Sequence, residues 1–240
     1  MNVNKLLEGL LGGGGDVFGT TKGASSAQAG SGPGGLPSGL IGGAATGGLI
    51  AMLVGSKKGR KLGGKALKYG GLAAVGGLAY KAYSDWQTKQ ESGQEEAPLS
   101  LPKPAPGSDF EIETAKDAQG EDFRLVLVRA MISAAQCDDH IDAEEHKAIR
   151  TQLDSFELGA SEKTALYGYF SEPANPAAIA GLARNDAQKA EIYLVSALCI
   201  DPDTPQEQAY MDALSGSLEL PDGLRVHLDA EAQAARRQVA

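Results

Sequence analysis

The chain has 240 residues, with 22 Lys and Arg against 31 Asp and Glu, a formal net charge of −9, and two cysteines. The charge is divided: residues 1–90 hold ten basic and three acidic side chains, about +7, and the other 150 hold 12 basic and 28 acidic, about −16. An acidic body repels nucleic acid, and the basic part is interleaved with Gly and Ala, so DNA and RNA are excluded as partners. Two cysteines are too few for a disulfide framework, and the sequence has neither CxxC nor HExxH spacing, which argues against zinc.

Residues 1–11 (MNVNKLLEGLL) can form three helical turns with Leu6, Leu7, Leu10 and Leu11 on one side, ended by Gly12–Gly15. No signal-peptide core or Ala-x-Ala site follows. Residues 1–37 as a whole read as a flexible Gly/Ser-rich tail, because such a composition buries too little apolar surface to order itself.

From Gly23 to Ser56 there are 34 residues without a charged side chain. The candidate membrane span begins after Pro37 and ends near Gly55; roughly 18 residues at about 1.5 Å each just cross a hydrocarbon core of about 30 Å. Gly39, Gly43, Gly47, Ala51 and Gly55 recur at every fourth position, which puts one smooth stripe along a helix and lets another helix approach closely. The partner would be a second copy, another membrane protein or the next segment; the other reading is a low-complexity glycine tract that neither spans nor pairs. The basic collar that follows includes Lys57, Lys58, Arg60 and Lys61, suited to anionic lipid headgroups. Under the positive-inside rule it places the following domain in the cytoplasm, with a single crossing and the N-terminal tail outside.

A second small-residue stretch runs from Tyr69 to Trp86 and ends in Tyr80, Lys81, Tyr83 and Trp86. It reads either as the returning arm of a half-inserted hairpin or as an interfacial helix, and completes a glycine-striped segment over residues 38–86. Residues 87–108 are a proline-rich linker. Residues 109–240 are helical in pattern, with no alternating strand run, so the fold class is all-α. The expected helices are Phe123–Cys137, Asp142–Phe156 (capping box Asp142/Glu145), Ser161–Phe170, a short helix capped by Asn175-Pro176 and running through Ala183, Asp186–Ile200, one after the Thr204/Glu207 capping box, and Leu224–Arg237.

Laid on itself at an offset of 62 residues, this domain matches without gaps: Ile132–Cys137 falls on Leu194–Cys199, Asp142-x-x-Glu145 on Thr204-x-x-Glu207, and Ile149 on Met211. An apolar helix, an acidic loop and a capped helix thus occur twice, and two such hairpins would bury both apolar helices in one core. In the first loop Asp138, Asp139, Asp142 and Glu145 could converge on a divalent cation, since hard cations take several carboxylates from a tight turn; the second loop offers Asp201, Asp203 and Glu207, and neither has EF-hand spacing. The alternative is that Asp142 and Glu145 cap the helix and Asp138 and Asp139 are solvated acids near a helix end. No Ser/His/Asp set or phosphate loop occurs, so the chain reads as non-enzymatic, with no cofactor other than that cation.

The run Cys137-Asp138-Asp139-His140-Ile141-Asp142-Ala143-Glu144-Glu145 resembles the A-D-G-x-I-D-x-x-E signature of tellurite-resistance TerB-like domains, with Asp139 where that pattern has glycine. The wider text, LVLVRAMISAAQ…HIDAEE and VSALCIDPDTPQEQAYMDALSGSLELP, resembles the YebE-type family of uncharacterised bacterial inner-membrane proteins. The resemblance implies a pseudo-duplicated TerB-like bundle behind a glycine-rich membrane segment, on the bacterial inner membrane, and metal binding at Asp138, Asp142 and Glu145. It implies no reaction. The expected role is partner docking or stress response through the acidic domain, with a divalent-metal sensor or buffer as the alternative.

Overall fold

The structure is a computed structural model and describes residues 2–4, 6–7, 71–88, 104–105, 107–112, 114–137, 160–200 and 202–239. The candidate span with its stripe, the basic collar, the expected helix 142–156 and the acidic loop containing Asp138, Asp142 and Glu145 lie outside these residues. Among the described residues the regular elements are seven helices: α1 (Gly71–Gln87), α2 (Phe123–Ala135), α3 (Ala160–Ser171), α4 (Pro176–Ala180), α5 (Asp186–Cys199), α6 (Pro205–Leu218) and α7 (Leu224–Val239). The all-α expectation holds for this set. No helix in it is long and apolar enough to cross a membrane.

Helix α5 is the hub. Its sequence, DAQKAEIYLVSALC, is apolar on most faces, and all but its first residue and Lys189 are buried. A helix that is hydrophobic nearly all round must be surrounded, and α5 is packed against α1, α2, α4, α6 and α7. Its N-terminus is fixed by Asn185, whose side chain accepts from the Gln188 N–H at 2.9 Å. Its C-terminus is fixed from α7: Arg236 donates through Nη1 to the carbonyls of Ala197 at 2.9 Å and Ile200 at 2.7 Å. Those are the orphan acceptors every helix end leaves, met here by a cation that also suits the negative end of the dipole.

Helix α2 is the second apolar helix, buried along nearly its whole length, and packs against α5 as expected. The α5–α6 hairpin is complete: Thr204 and Glu207 close the anticipated capping box, with Pro205 in the first turn. Its counterpart after α2 falls in the undescribed residues 138–159. Asn175 caps α4 through Ala178 at 3.0 Å, again as its sequence indicated, although α4 ends at Ala180 rather than Ala183. In α3 Phe170 and Leu166 are buried, and Tyr167 is only partly covered.

Residues 109–112 and 114–122, at the start of the region expected to be helical, are irregular. Asp117 organises the turn before α2: its Oδ1 accepts from the N–H groups of Gln119 and Glu121, each at 2.9 Å, and its own N–H reaches the Glu121 carbonyl. Gly120 sits in that turn at φ +87°, which only glycine adopts without strain. The loop brings Phe110 and Ile112 into the core, where they meet α1.

Helix α1 covers the stretch that the sequence left between a hairpin arm and an interfacial helix. Here it packs on α5 and α7, burying Val75, Leu78, Ala79 and Ala82. Its terminal aromatics face protein: Phe110 lies 5.5 Å from Tyr80 and 5.4 Å from Tyr83, both edge-on. Trp86 donates its indole N–H to the Asp222 carbonyl at 2.9 Å, just ahead of α7.

Candidate functional site

The residues singled out from sequence, Asp138, Asp142, Glu145, the stripe from Gly39 to Gly55 and the collar Lys57, Lys58, Arg60 and Lys61, all lie outside the described residues. Among the described residues no three His, Cys, Asp or Glu side chains are grouped as for a metal ion. The structure shows instead what stands at the edges of those segments.

The acidic loop departs from the C-terminal end of α2. There the Gln136 N–H reaches back to the Ile132 carbonyl at 3.1 Å, and the Gln136 side chain donates to the Phe170 carbonyl of α3 at 2.9 Å. Beside this junction Arg129, Ser133, Gln136, Tyr169, Glu172 and Asn175 line a cavity of about 20 Å³. The Arg129 guanidinium lies over the Tyr169 ring at 5.2 Å and pairs with Glu172 at 3.1 Å. The cavity is the size of about one water molecule, far below the roughly 300 Å³ that begins the range of small-ligand sites.

The described residues on either side of the charge-free stretch, up to Leu7 and from α1 on, carry more information. On the N-terminal side Val3, Asn4, Leu6 and Leu7 are helical, and the Leu6 N–H bonds to the Asn2 carbonyl at 3.1 Å. Leu6 is 0 % and Leu7 2 % exposed, both in the same core as α2 and α5. The expected apolar face of residues 1–11 is therefore used, in part, against the helical domain. Asn4 accepts from Arg124 Nη1 at 2.8 Å. The same guanidinium holds Asp122 bidentately, at 2.9 and 2.6 Å, while Asp122 caps α2. Burial alone would raise the Asp122 carboxyl, but the Arg124 side chain and N–H outweigh it and hold it below the ordinary carboxylate value. An open groove of about 490 Å³ runs between Asn2, Val3, Asn4, Asp122 and Arg124.

On the C-terminal side α1 is tied to α7 by charge as well as packing. Lys81 pairs with Asp85 at 3.1 Å and with Glu231 of α7. Burial disfavours the ammonium, yet these two carboxylates raise its pKa above the usual lysine value. On another face of α7, towards α5, the Tyr193 hydroxyl donates to Asp229 at 2.8 Å and accepts from Arg225 Nε at 2.9 Å, and Arg225 continues to Asp212 of α6 at 2.7 Å. Burial and the Asp229 charge push the Tyr193 phenol well above its ordinary pKa. The links between elements were not foreseen from sequence, since each joins residues far apart along the chain; of the local ones, Lys81–Asp85 and Asp122–Arg124, only Asp122 before an apolar run offered a signal, as a cap.

The sequence profile of a family described as a protein of unknown function (DUF533) matches residues 39–232 of this chain. That is most of its length, and the chain belongs to this family. An uncharacterised protein from the ampR 5′ region of Yersinia enterocolitica is 23% identical over 113 residues, covering 47% of this chain and 81% of that protein. No solved structure matches.

Proposed function

Because the chain belongs to a family whose description assigns no role, we propose its function from its own residues: a non-enzymatic protein attached to the bacterial inner membrane, whose acidic helical domain docks partners at the cytoplasmic face, in a stress response or a related process. The carrying observation is the 34-residue charge-free stretch from Gly23 to Ser56, directly followed by Lys57, Lys58, Arg60 and Lys61. The apolar part of this run, residues 38–55, favours the bilayer over water, and anionic headgroups favour the collar. The stripe of Gly39, Gly43, Gly47, Ala51 and Gly55 would seat a partner helix, from a second copy or another membrane protein. Resistance to carbonate extraction of full-length protein, lost on deletion of residues 38–55, is the expected result. Release of the full-length protein by carbonate would sink this reading.

A divalent-cation sensor or buffer is the second reading. Asp138, Asp142 and Glu145 follow within ten residues of the end of α2, and several carboxylates so close in sequence suit a hard cation. Titration with Ca²⁺, Mg²⁺ or Mn²⁺ should then release or absorb heat and raise the melting temperature, an effect removed by Asp142→Asn. No heat and no thermal shift would dispose of it.

A further inference from the structure

From the docking of both flanks on one core we infer that the N-terminus and the helical domain lie on the same side of the bilayer, so that the chain between residues 7 and 71 enters and leaves the membrane from one face. This rests on the proposed membrane attachment and replaces the single crossing expected from the positive-inside count.

The reasoning is topological. Leu6 and Leu7, essentially unexposed, share a core with Leu78, Ala79 and Ala82 of α1 and with α2 and α5. Asn4 is bonded to Arg124, which is itself locked to the cap of α2. On the other flank α1 is packed on α5 and α7 and pinned at its far end by Trp86 and Lys81. A single crossing would put a bilayer about 30 Å thick between Leu6 and the core that buries it. An even number of crossings, or a shallow insertion that returns, leaves all these contacts intact.

Charge agrees with the packing. The charge-free stretch is bounded on one edge by Lys22 and on the other by Lys57 and Lys58. Lysines at both edges suit a segment whose two ends are on the cytoplasmic side. The N-terminal 22 residues also carry Glu8 and Asp16 against Lys5 and Lys22, so nothing in their net charge drives them outward.

The test uses full-length protein with one epitope at each terminus, expressed in its membrane. In intact spheroplasts protease should reach neither epitope, and after lysis both. An N-terminal epitope digested in intact spheroplasts while the C-terminal one survives would establish a single crossing and overturn the inference. A second measurement reads the contact itself: Asn4→Cys with Arg124→Cys, in a Cys137→Ala, Cys199→Ala background, treated with a short bifunctional thiol reagent. Expected is a link within one chain, seen as joined peptides from the monomer band. A link only between chains, or none, overturns the shared core. Carbonate extraction is run alongside: protein that washes off while the internal link still forms refutes membrane attachment, whereas extraction-resistant protein without the link refutes the inference alone.

Discussion

Replacing Tyr193 with Phe isolates the polar link between α5 and α7. The ring keeps its place, 1 % exposed in the core, and only the hydroxyl between Asp229 and Arg225 is removed. A hydrogen bond to an ionised acceptor contributes about 1.5–3 kcal/mol net. The remaining contact, Arg225 Nε to Asp229 Oδ2, is 3.6 Å and does not replace it, but the Asp229 side chain is 41% exposed, so water offsets part of the loss. The expected cost at neutral pH is therefore about 1–2 kcal/mol. Its pH dependence has a definite sign. Burial raises the Asp229 carboxyl above its ordinary value, against the pull of Tyr193 and Arg225. The native state thus takes up this proton at higher pH than the unfolded chain, and Asp229 lowers stability as pH rises through that window. Losing the hydroxyl raises the carboxyl further, so the mutational cost should grow from acid, near the unfolded value of about 4, towards neutrality. Urea unfolding followed by Trp86 fluorescence, the only tryptophan in the chain, measures this at the α1–α7 junction. An equal cost at pH 4 and pH 7, or one under about 0.5 kcal/mol, would refute the assignment of the hydroxyl to the charged carboxylate.

Asp122→Ala should destabilise by about 1–2 kcal/mol at pH 7, from loss of the α2 cap and the Arg124 pair. Because the folded-state carboxyl is depressed, that contribution is present above its unfolded value and should disappear as pH falls through the folded one, which acid titration of wild type and mutant by circular dichroism would show. Gly168→Ala in α3 and Gly216→Ala in α6 meet nothing within 4 Å and should each stabilise by about 0.5–1 kcal/mol in urea unfolding. Glu219, exposed at the end of α6 with φ 48°, holds a left-handed conformation, and Glu219→Gly should raise the melting temperature measurably by calorimetry. Burial pushes the Cys199 thiol up to about 12, so a maleimide at pH 7 should modify the half-exposed Cys137 first and Cys199 only on unfolding, read by mass spectrometry of the labelled peptides.

Much of the helical body was legible in sequence because its signals are local. Asn175 and Thr204 announce helix starts through bonds made within three residues, and Phe123–Cys137 and Asp186–Ile200 are so uniformly apolar that they must be interior. The irregular lead-in at residues 114–122 was assigned to the helical region without an element of its own, since its order comes from Asp117 accepting two backbone N–H groups, and an Asp near Gly gives no periodicity to read. The polar links between Arg124 and Asn4, Lys81 and Glu231, and Arg225 and Tyr193 span 120, 150 and 32 residues, and no spacing rule reaches that far. The candidate sites named from sequence fall in residues the structure does not describe, and what it adds is the packing of the described chain on either side, up to Leu7 and from α1 on, and of the end of α2.

Helix α1 shows why the edge of the membrane segment was the hardest boundary to draw. Small residues with terminal aromatics and a lysine are what a membrane interface selects, but an apolar protein core selects the same set, because both neighbours exclude water and both reward close approach. Gly76 makes the point at atomic scale: a Cβ there would come within 3.1 Å of both the Phe110 carbonyl oxygen and the Ile112 Cδ1. The glycine permits close packing of a helix against chain of its own domain, with no lipid required. A small-residue stripe therefore identifies a surface that something approaches closely, and does not say in which solvent. For residues 39–55 the discriminating features are the charge-free length around the stripe and the lysines that bound it at Lys22 and Lys57. Helix α1 lacks the length: its charge-free run between Lys68 and Lys81 is cut short by Lys81 and Asp85 inside the helix, and those charges find their partners in the protein.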